Sequence, residues 1–367
     1  MKGYLKLLSL ILVGVVGGAA GPTLDAFAQS PIVLKVSHFL PPGHTISKAL
    51  VAWGEELKQK SNGRLQLEVH PKGELAPPPK QYDLAASGKV DISLALHGYT
   101  PGKFPLTEVA QFPFVVQEGA TSSAKLTELA PKYLAKEHPG VKILYLLCSP
   151  PLEIHLAQKR IDSVADFKGL RLRYSGAPVG EAVKTLGGIP VQMAPGKVAE
   201  AMRKGELDGA IFPYEATHAF HMDEVSKYSV EPGFNTVTFF LAMNRKRYDQ
   251  LPKDLQKLID DTTGPEAARR VAAQLDAQEE IGRQNMIAHG VEIIHLSEAA
   301  LSRIELATVR YTTRALGELE ARGMPANTVY LQMISANATI PRKKVTSSPL
   351  EEKAAKPKLA SRQKTSR

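Results

Sequence analysis

Ile32-Val33-Leu34-Lys35-Val36-Ser37-His38-Phe39 reads as a strand, and the way the chain leaves it decides the fold. Pro41-Pro42-Gly43 breaks the strand, and Ile46, Ala49, Leu50, Trp53 and Leu57 then recur at helical spacing until Asn62-Gly63 stops the run. Leu65, Leu67 and Val69 alternate as a second strand, Pro77 to Ser87 suits a helix that Gly88 ends, and Val90 to Leu96 is a third strand. This βαβαβ order implies a parallel sheet with right-handed crossovers. A helix from about Thr121 to Lys136 and a strand from Val141 to Leu147 extend it.

The same grammar then restarts. Leu170 to Tyr174 is a strand, Val179 to Leu186 a helix ending at Gly187-Gly188, Ile189 to Met193 a strand, Val198 to Lys204 a helix and Leu207 to Phe212 a strand. A short echo links the halves: Ala86-Ser87-Gly88-Lys89-Val90-Asp91 against Arg203-Lys204-Gly205-Glu206-Leu207-Asp208. In each, a glycine closes a helix and the chain enters a strand two residues later, which favours two similar lobes over one large sheet. From Pro252 the chain turns helical, with long helices over Ala267 to Asn285 and Glu298 to Ala321 around a short strand Val291 to Ile294.

The charge is distributed unevenly. The chain has 367 residues, 43% hydrophobic and 23% charged, with a formal net charge of +9, which suits a globular protein of about two domains. Residues 342–367 carry nine Lys or Arg and two Glu, so most of the excess lies in the last stretch and the body is near neutral. No nucleic-acid partner is expected from such a body. Lys2 and Lys6 precede an uncharged run from Leu7 to Leu24, and Ala26-Phe27-Ala28 supplies a small-x-small cleavage site, so residues 1–28 read as a signal peptide for export. The one cysteine, Cys148, cannot form an internal disulfide and reads as a small buried filler.

Motifs for catalysis or cofactors are missing: no Walker loop, no His-Glu-x-x-His, no Gly-x-Ser-x-Gly elbow and no Cys-x-x-Cys. Binding without catalysis is therefore expected, with no cofactor and no metal. Glu215, His218 and His221 have a spacing that could put three metal-capable groups on one helix face, and a solvated face explains them equally well. In open α/β sheets ligands sit beyond the carboxyl ends of parallel strands, and those ends here read His38-Phe39, His97-Gly98-Tyr99, Ser149-Pro150, Arg173-Tyr174 and Phe212-Pro213-Tyr214. Arg173 follows Leu170 and Leu172 on the opposite phase, where its planar fork can meet a ligand carboxylate or a neighbouring acidic side chain.

The chain resembles the DctP-type solute-binding proteins of TRAP (tripartite ATP-independent periplasmic) transporters from Leu34 to about Ala336. The segments that carry the resemblance are Leu34 to Phe39, Gly98-Tyr99-Thr100-Pro101-Gly102-Lys103-Phe104-Pro105 and Asp166-Phe167-Lys168-Gly169-Leu170-Arg171-Leu172-Arg173. Gly187 to Met193, Gly205-Glu206-Leu207-Asp208-Gly209 and Ala242-Met243-Asn244-Arg245 extend it. The resemblance implies an α/β, two-lobed periplasmic binding protein fold, each lobe a mixed, mostly parallel sheet flanked by helices, with long C-terminal bracing helices. Residues 29–152 with 240–280 then form one lobe, 153–239 with 281–340 the other, and 341–367 a disordered basic tail.

It also implies a monomeric periplasmic receptor that closes on a small organic acid and passes it to a TRAP-type membrane permease. The family's carboxylate-binding arginine falls on Arg173. Where sialic-acid-type members carry a second arginine, a loose alignment places Glu153, and where they carry Phe and Asn this chain has Pro195 and Phe212. Phe for a carboxamide adds apolar surface and removes hydrogen bonds, which favours an aliphatic or aromatic acid over a polyhydroxylated one. Phe39, Tyr99, Tyr174, Phe212 and Tyr214 are the candidate walls, and His38, His97 and His155 the candidate donors. A receptor that serves a signalling partner, or a secreted hydrolase, is the alternative function.

Overall fold

Residues 30–341 are described by a computed structural model. The first half keeps the strand and helix order expected from the sequence: β1 (Ile32–His38), α1 (Thr45–Lys60), β2 (Leu65–His70), α2 (Gln81–Ala86), β3 (Ile92–Leu96), α3 (Gly119–Leu129) and β4 (Val141–Cys148). Then come β5 (Leu152–Leu156), β6 (Arg171–Tyr174), α4 (Ala177–Thr185), β7 (Ile189–Gln192), α5 (Val198–Arg203), β8 (Gly209–Phe212), α6 (Tyr214–Thr217), β9 (Tyr228–Asn235) and β10 (Thr238–Asn244). The remainder is α7 (Arg245–Asp249), α8 (Lys253–Thr262), α9 (Pro265–Ala288), β11 (Glu292–His295), α10 (Glu298–Ala321) and α11 (Ala326–Asn337). The expected signal peptide and all but the first residue of the expected tail lie outside the described residues. Among the described residues no helix is long and apolar enough to cross a membrane.

The strands form two mixed sheets, ordered β2-β1-β3-β10-β4 and β11-β9-β5-β8-β6-β7. β1 pairs in parallel with β2 and β3, and β6 with β7 and β8, as βαβ units require. β10 enters the first sheet antiparallel between β3 and β4, and β5 enters the second antiparallel between β8 and β9. The chain therefore passes between the sheets after β4, again after β9 and a third time after β10, on the way to β11. The first two passages are tied together: Thr236 Oγ1 donates to the Ser149 carbonyl at 2.7 Å, and the Ser149 N–H donates to the Val237 carbonyl at 2.9 Å.

The sequence echo is reproduced bond by bond. Gly88 and Gly205 take φ of 76° and 69°, a region open to glycine at little steric cost. The next N–H groups, of Lys89 and Glu206, return to the carbonyls of Leu84 and Ala201 at 3.0 and 2.9 Å. Asp91 and Asp208 then accept from the backbone N–H of Lys35 and Arg171, at 2.7 and 2.8 Å, which pins each helix end to the neighbouring strand.

Helix lengths differ from the sequence reading where proline intervenes. The expected helix to Lys136 is α-helical only to Leu129, and a π turn covers Ala130–Leu134, because Pro131 has no N–H to give the regular ladder. Pro77 to Ser87 begins as a 3₁₀ turn at Pro78–Lys80 before α2. The long helix α9 packs on α3 and β4 beside the first sheet and on α6 beside the second. Gly282 makes that last approach possible, since a Cβ there would lie 2.1 Å from the Tyr214 carbonyl oxygen.

Candidate functional site

The carboxyl ends of β1 and β3 in one sheet face those of β6 and β8 in the other, and a cavity of about 40 Å³ lies between them. Phe39 follows β1, Tyr99 lies beyond β3, Arg173 is the last residue but one of β6 and Phe212 ends β8; all four line the cavity. Leu152, Pro195, Phe220 and Phe239 complete a mainly apolar wall, with Ser149 and Ser175 among its few polar groups. Phe39 and Tyr99 meet edge to face at 5.2 Å, and Phe212 lies beside Phe220 at 5.7 Å.

Arg173 is 2% exposed. Its Nε donates to the Met193 carbonyl at 3.1 Å, its Nη1 to the Ile211 carbonyl at 3.3 Å, and its guanidinium carbon stands 4.3 Å from the centre of the Phe212 ring. Burial lowers its pKa, and the Tyr99 hydroxyl from the other sheet opposes this. A guanidinium has five donors, so backbone carbonyls account for only part of its capacity. Burial raises the Tyr99 hydroxyl to about 12, against the pull of Arg173. The neighbouring Arg171, two residues earlier on the same strand, is instead spent on Asp208 at 2.8 Å.

Across the cleft, His44 Nε2 stands 3.4 Å from Glu215 Oε2, both side chains 2% exposed. His44 also caps α1, its Nδ1 accepting from the Ile46 N–H. The pair lines the cavity on one side and, on the other, a larger open groove of about 590 Å³ between α1, α6 and α9. Burial, helped by nearby His38 and Lys48, brings His44 to about 4, and burial with Glu279 and Asp276 holds Glu215 well above the usual carboxylate range.

The other candidates of the sequence reading stand away from the cavity. His97 is buried in the first lobe's core, its Nδ1 2.9 Å from Thr238 Oγ1 and its Nε2 3.1 Å from His138. His155 contacts Ser229 Oγ at 2.8 Å and the Phe212 carbonyl at 3.1 Å within the second sheet. Tyr214 turns the other way and donates to Glu231 at 2.8 Å. Tyr174 lies against Gly180 of α4, where a Cβ would be 2.6 Å from its ring. His38 is fully buried, has no hydrogen bond on either ring nitrogen and is not part of the wall. Glu153 lies within β5 opposite Phe212, and Leu152, not Glu153, is among the residues lining the cavity.

Glu215, His218 and His221 do not share a helix face. α6 ends at Thr217, His221 takes a left-handed φ of 58°, and His218 is 79% exposed against Asp223 while Glu215 is buried. Cys148 is wholly buried at the end of β4 and burial pushes its thiol up, which suits a core filler. His44 was missed as a wall residue because it lies on the loop before α1 and carries no periodic signal, Glu215 was read only with His218 and His221, and Ser149 stood among the strand ends.

The family described as bacterial extracellular solute-binding protein, family 7 (DctP), matches residues 36–315. The protein named outer membrane transporter protein TsaT, from Comamonas testosteroni, is 28% identical over 309 residues, covering 82% of this chain and 90% of that one. A TRAP solute-binding protein from Rhodoferax ferrireducens, solved with copurified benzoate, aligns with a TM-score of 0.80 at 28% identity and covers 84% of this chain and 98% of its own. A marine metagenome TRAP solute-binding protein described as specific for aromatic acid ligands, solved with 3-hydroxybenzoate, aligns at 0.81 and 28% identity and covers 86% and 99%.

Proposed function

The chain belongs to the bacterial extracellular solute-binding proteins of family 7, the DctP receptors of TRAP transporters, and on that premise we propose that it captures an aromatic monocarboxylate between its two sheets and delivers it to a TRAP-type permease. The observation that carries this reading is Arg173. A guanidinium buried to 2% exposure is costly in a low-dielectric interior, and an incoming carboxylate supplies a countercharge and acceptors. Phe39, Tyr99, Phe212 and Phe220 give the ligand ring an apolar, edge-lined slot.

The cavity has room for about three waters at about 10–15 Å³ each, so a benzoate-sized acid enters only if the sheets part. Each sheet with its helices then acts as a lobe, and the paired passages at Ser149 and Thr236 act as the hinge. Ligand shifts the equilibrium toward closure because it touches both lobes only when they meet. The receptor works in the periplasm as a monomer, and the closed form is what the permease receives.

A thermal-shift screen of refolded, ligand-stripped protein tests the reading. Ligand at about 100 times its Kd stabilises the native state by about 2.7 kcal/mol, and benzoate-like acids are the expected hits. Folded protein that responds to no carboxylic acid removes the function proposed for Arg173.

A further inference from the structure

Arg173 by itself leaves part of a ligand carboxylate unmet. A carboxylate offers about four lone-pair sites, and even a two-pronged grip by a guanidinium fills two of them. Backbone carbonyls already take Nε and Nη1 of Arg173, so further donors have to come from elsewhere in the wall. Ser149 is spent, its hydroxyl donating to the Pro150 carbonyl at 2.7 Å and lying 3.0 Å from Thr236 Oγ1.

Ser175 is in a different position. It lines the cavity two residues beyond Arg173, is 4% exposed, and its Oγ makes no hydrogen bond among the described residues. A serine just before a helix often caps it, but the cap position of α4 is Gly176 and no side chain caps that helix. The fold around Ser175 therefore leaves its hydroxyl unspent, and a buried hydroxyl without a partner is costly. Nearby is the Tyr99 hydroxyl of the opposite sheet, close enough for both Arg173 and Ser175 to act on it. The first sheet also bears directly on the turn that carries Ser175: a Cβ on Gly98 would lie 2.3 Å from the Gly176 Cα and 3.4 Å from the Ser175 carbonyl carbon.

We propose that Ser175 is a second anchor of the ligand carboxylate: its hydroxyl donates to a carboxylate oxygen beside Arg173, while Tyr99 closes over both from the other lobe. This rests on the carboxylate reading of Arg173. Without ligand the unmet hydroxyl burdens the closed form, and with ligand it is satisfied. The same group thus disfavours the empty closed state and favours the filled one.

The test is calorimetric titration of benzoate into refolded wild-type protein, Ser175→Ala and Arg173→Ala, with the melting point of each ligand-free sample. Loss of a hydrogen bond to a charged group should make Ser175→Ala bind benzoate about tenfold more weakly. Its ligand-free melting point should equal or exceed that of the wild type, because alanine removes a buried hydroxyl that makes no hydrogen bond in the fold. A loss of affinity smaller than about threefold overturns the anchor role, and overturns it alone if Arg173→Ala abolishes binding. A ligand-free melting point several degrees lower overturns it too, since the hydroxyl would then be holding the fold rather than the ligand. A wild type that binds no aromatic acid overturns the reading of Arg173 and this inference with it.

Discussion

The guanidinium of Arg173 lies over the face of Phe212, 4.3 Å from carbon to ring centre, with both side chains buried. The ring face stabilises the cation and fixes the plane in which its remaining donors are offered. A desolvated contact of this kind is worth about 2 kcal/mol, so Phe212→Leu should weaken binding of an aromatic acid by about tenfold or more. Calorimetry on the variant checks this, and unchanged affinity in a folded protein would mean that Phe212 only fills space.

Closure makes a separate prediction at Gly98. A Cβ there would lie 2.3 Å from the Gly176 Cα, and the two glycines belong to opposite sheets. Gln192 bridges the same gap by donating to the Gly98 carbonyl at 3.0 Å. Gly98→Ala should hold the lobes apart, lower ligand affinity about a hundredfold and leave the melting point of the ligand-free protein nearly unchanged. Small-angle scattering should then show no contraction when ligand is added to the variant.

Gly205→Ala makes the opposite prediction. Nothing lies within 4 Å of a Cβ at that position, so the cost comes from φ of 69° alone and should be about 1–2 kcal/mol. Differential scanning calorimetry should show a fall in melting point of a few degrees, with ligand affinity unchanged. A change in affinity would tie this helix end to the ligand site and contradict its purely structural role.

Much of the fold was legible in the sequence, because the first three strands and β6 to β8 have apolar runs punctuated by glycine. The echo at Gly88 and Gly205 also contains the aspartates that tie helix to strand, a role the sequence alone did not show. β9 and β10 were not legible. Pro232-Gly233 interrupts β9, and Gly233 is there because a Cβ would be 2.5 Å from the Leu152 carbonyl oxygen; β10 is buried along its whole length and so shows no alternation. That gap bears on the candidates that stand away from the cavity. His97, His155 and Tyr214 lie at or near strand ends and look like ligand contacts, but Thr238, Ser229 and Glu231 engage them, all from the two unread strands. Phe39, Tyr99, Arg173 and Phe212 follow the general rule for parallel strand ends and do line the cavity.

Buried histidines and acids set a stability optimum. Burial holds His38, His44, His138 and His155 at about 4, and His97 well below its ordinary value. The unfolded chain protonates its histidines near pH 6.5, so as the pH falls from there toward 4 it gains protons that the folded state refuses, and stability drops. Glu108, pushed up to about 8 by burial and Glu137, and Glu215 act in reverse: the folded state keeps protons that the unfolded chain releases above about 4.5, and their contribution is lost as the pH rises toward 8. Five histidines outweigh the acids below pH 6.5, and the acids act alone above it. The melting point of ligand-free protein should therefore peak near pH 6.5, and a steady rise to pH 8 would contradict these environments.

The carboxylate role of Arg173 is tested most directly by the dissociation constant of benzoate for the wild-type protein and for Arg173→Ala, measured by calorimetry on refolded samples of matched melting behaviour. Loss of a buried charge partner costs about 2–5 kcal/mol, so the variant should bind about a hundredfold more weakly or not at all. Affinity retained within about tenfold, a change of about 1.4 kcal/mol, would contradict the assignment of Arg173 to the ligand carboxylate.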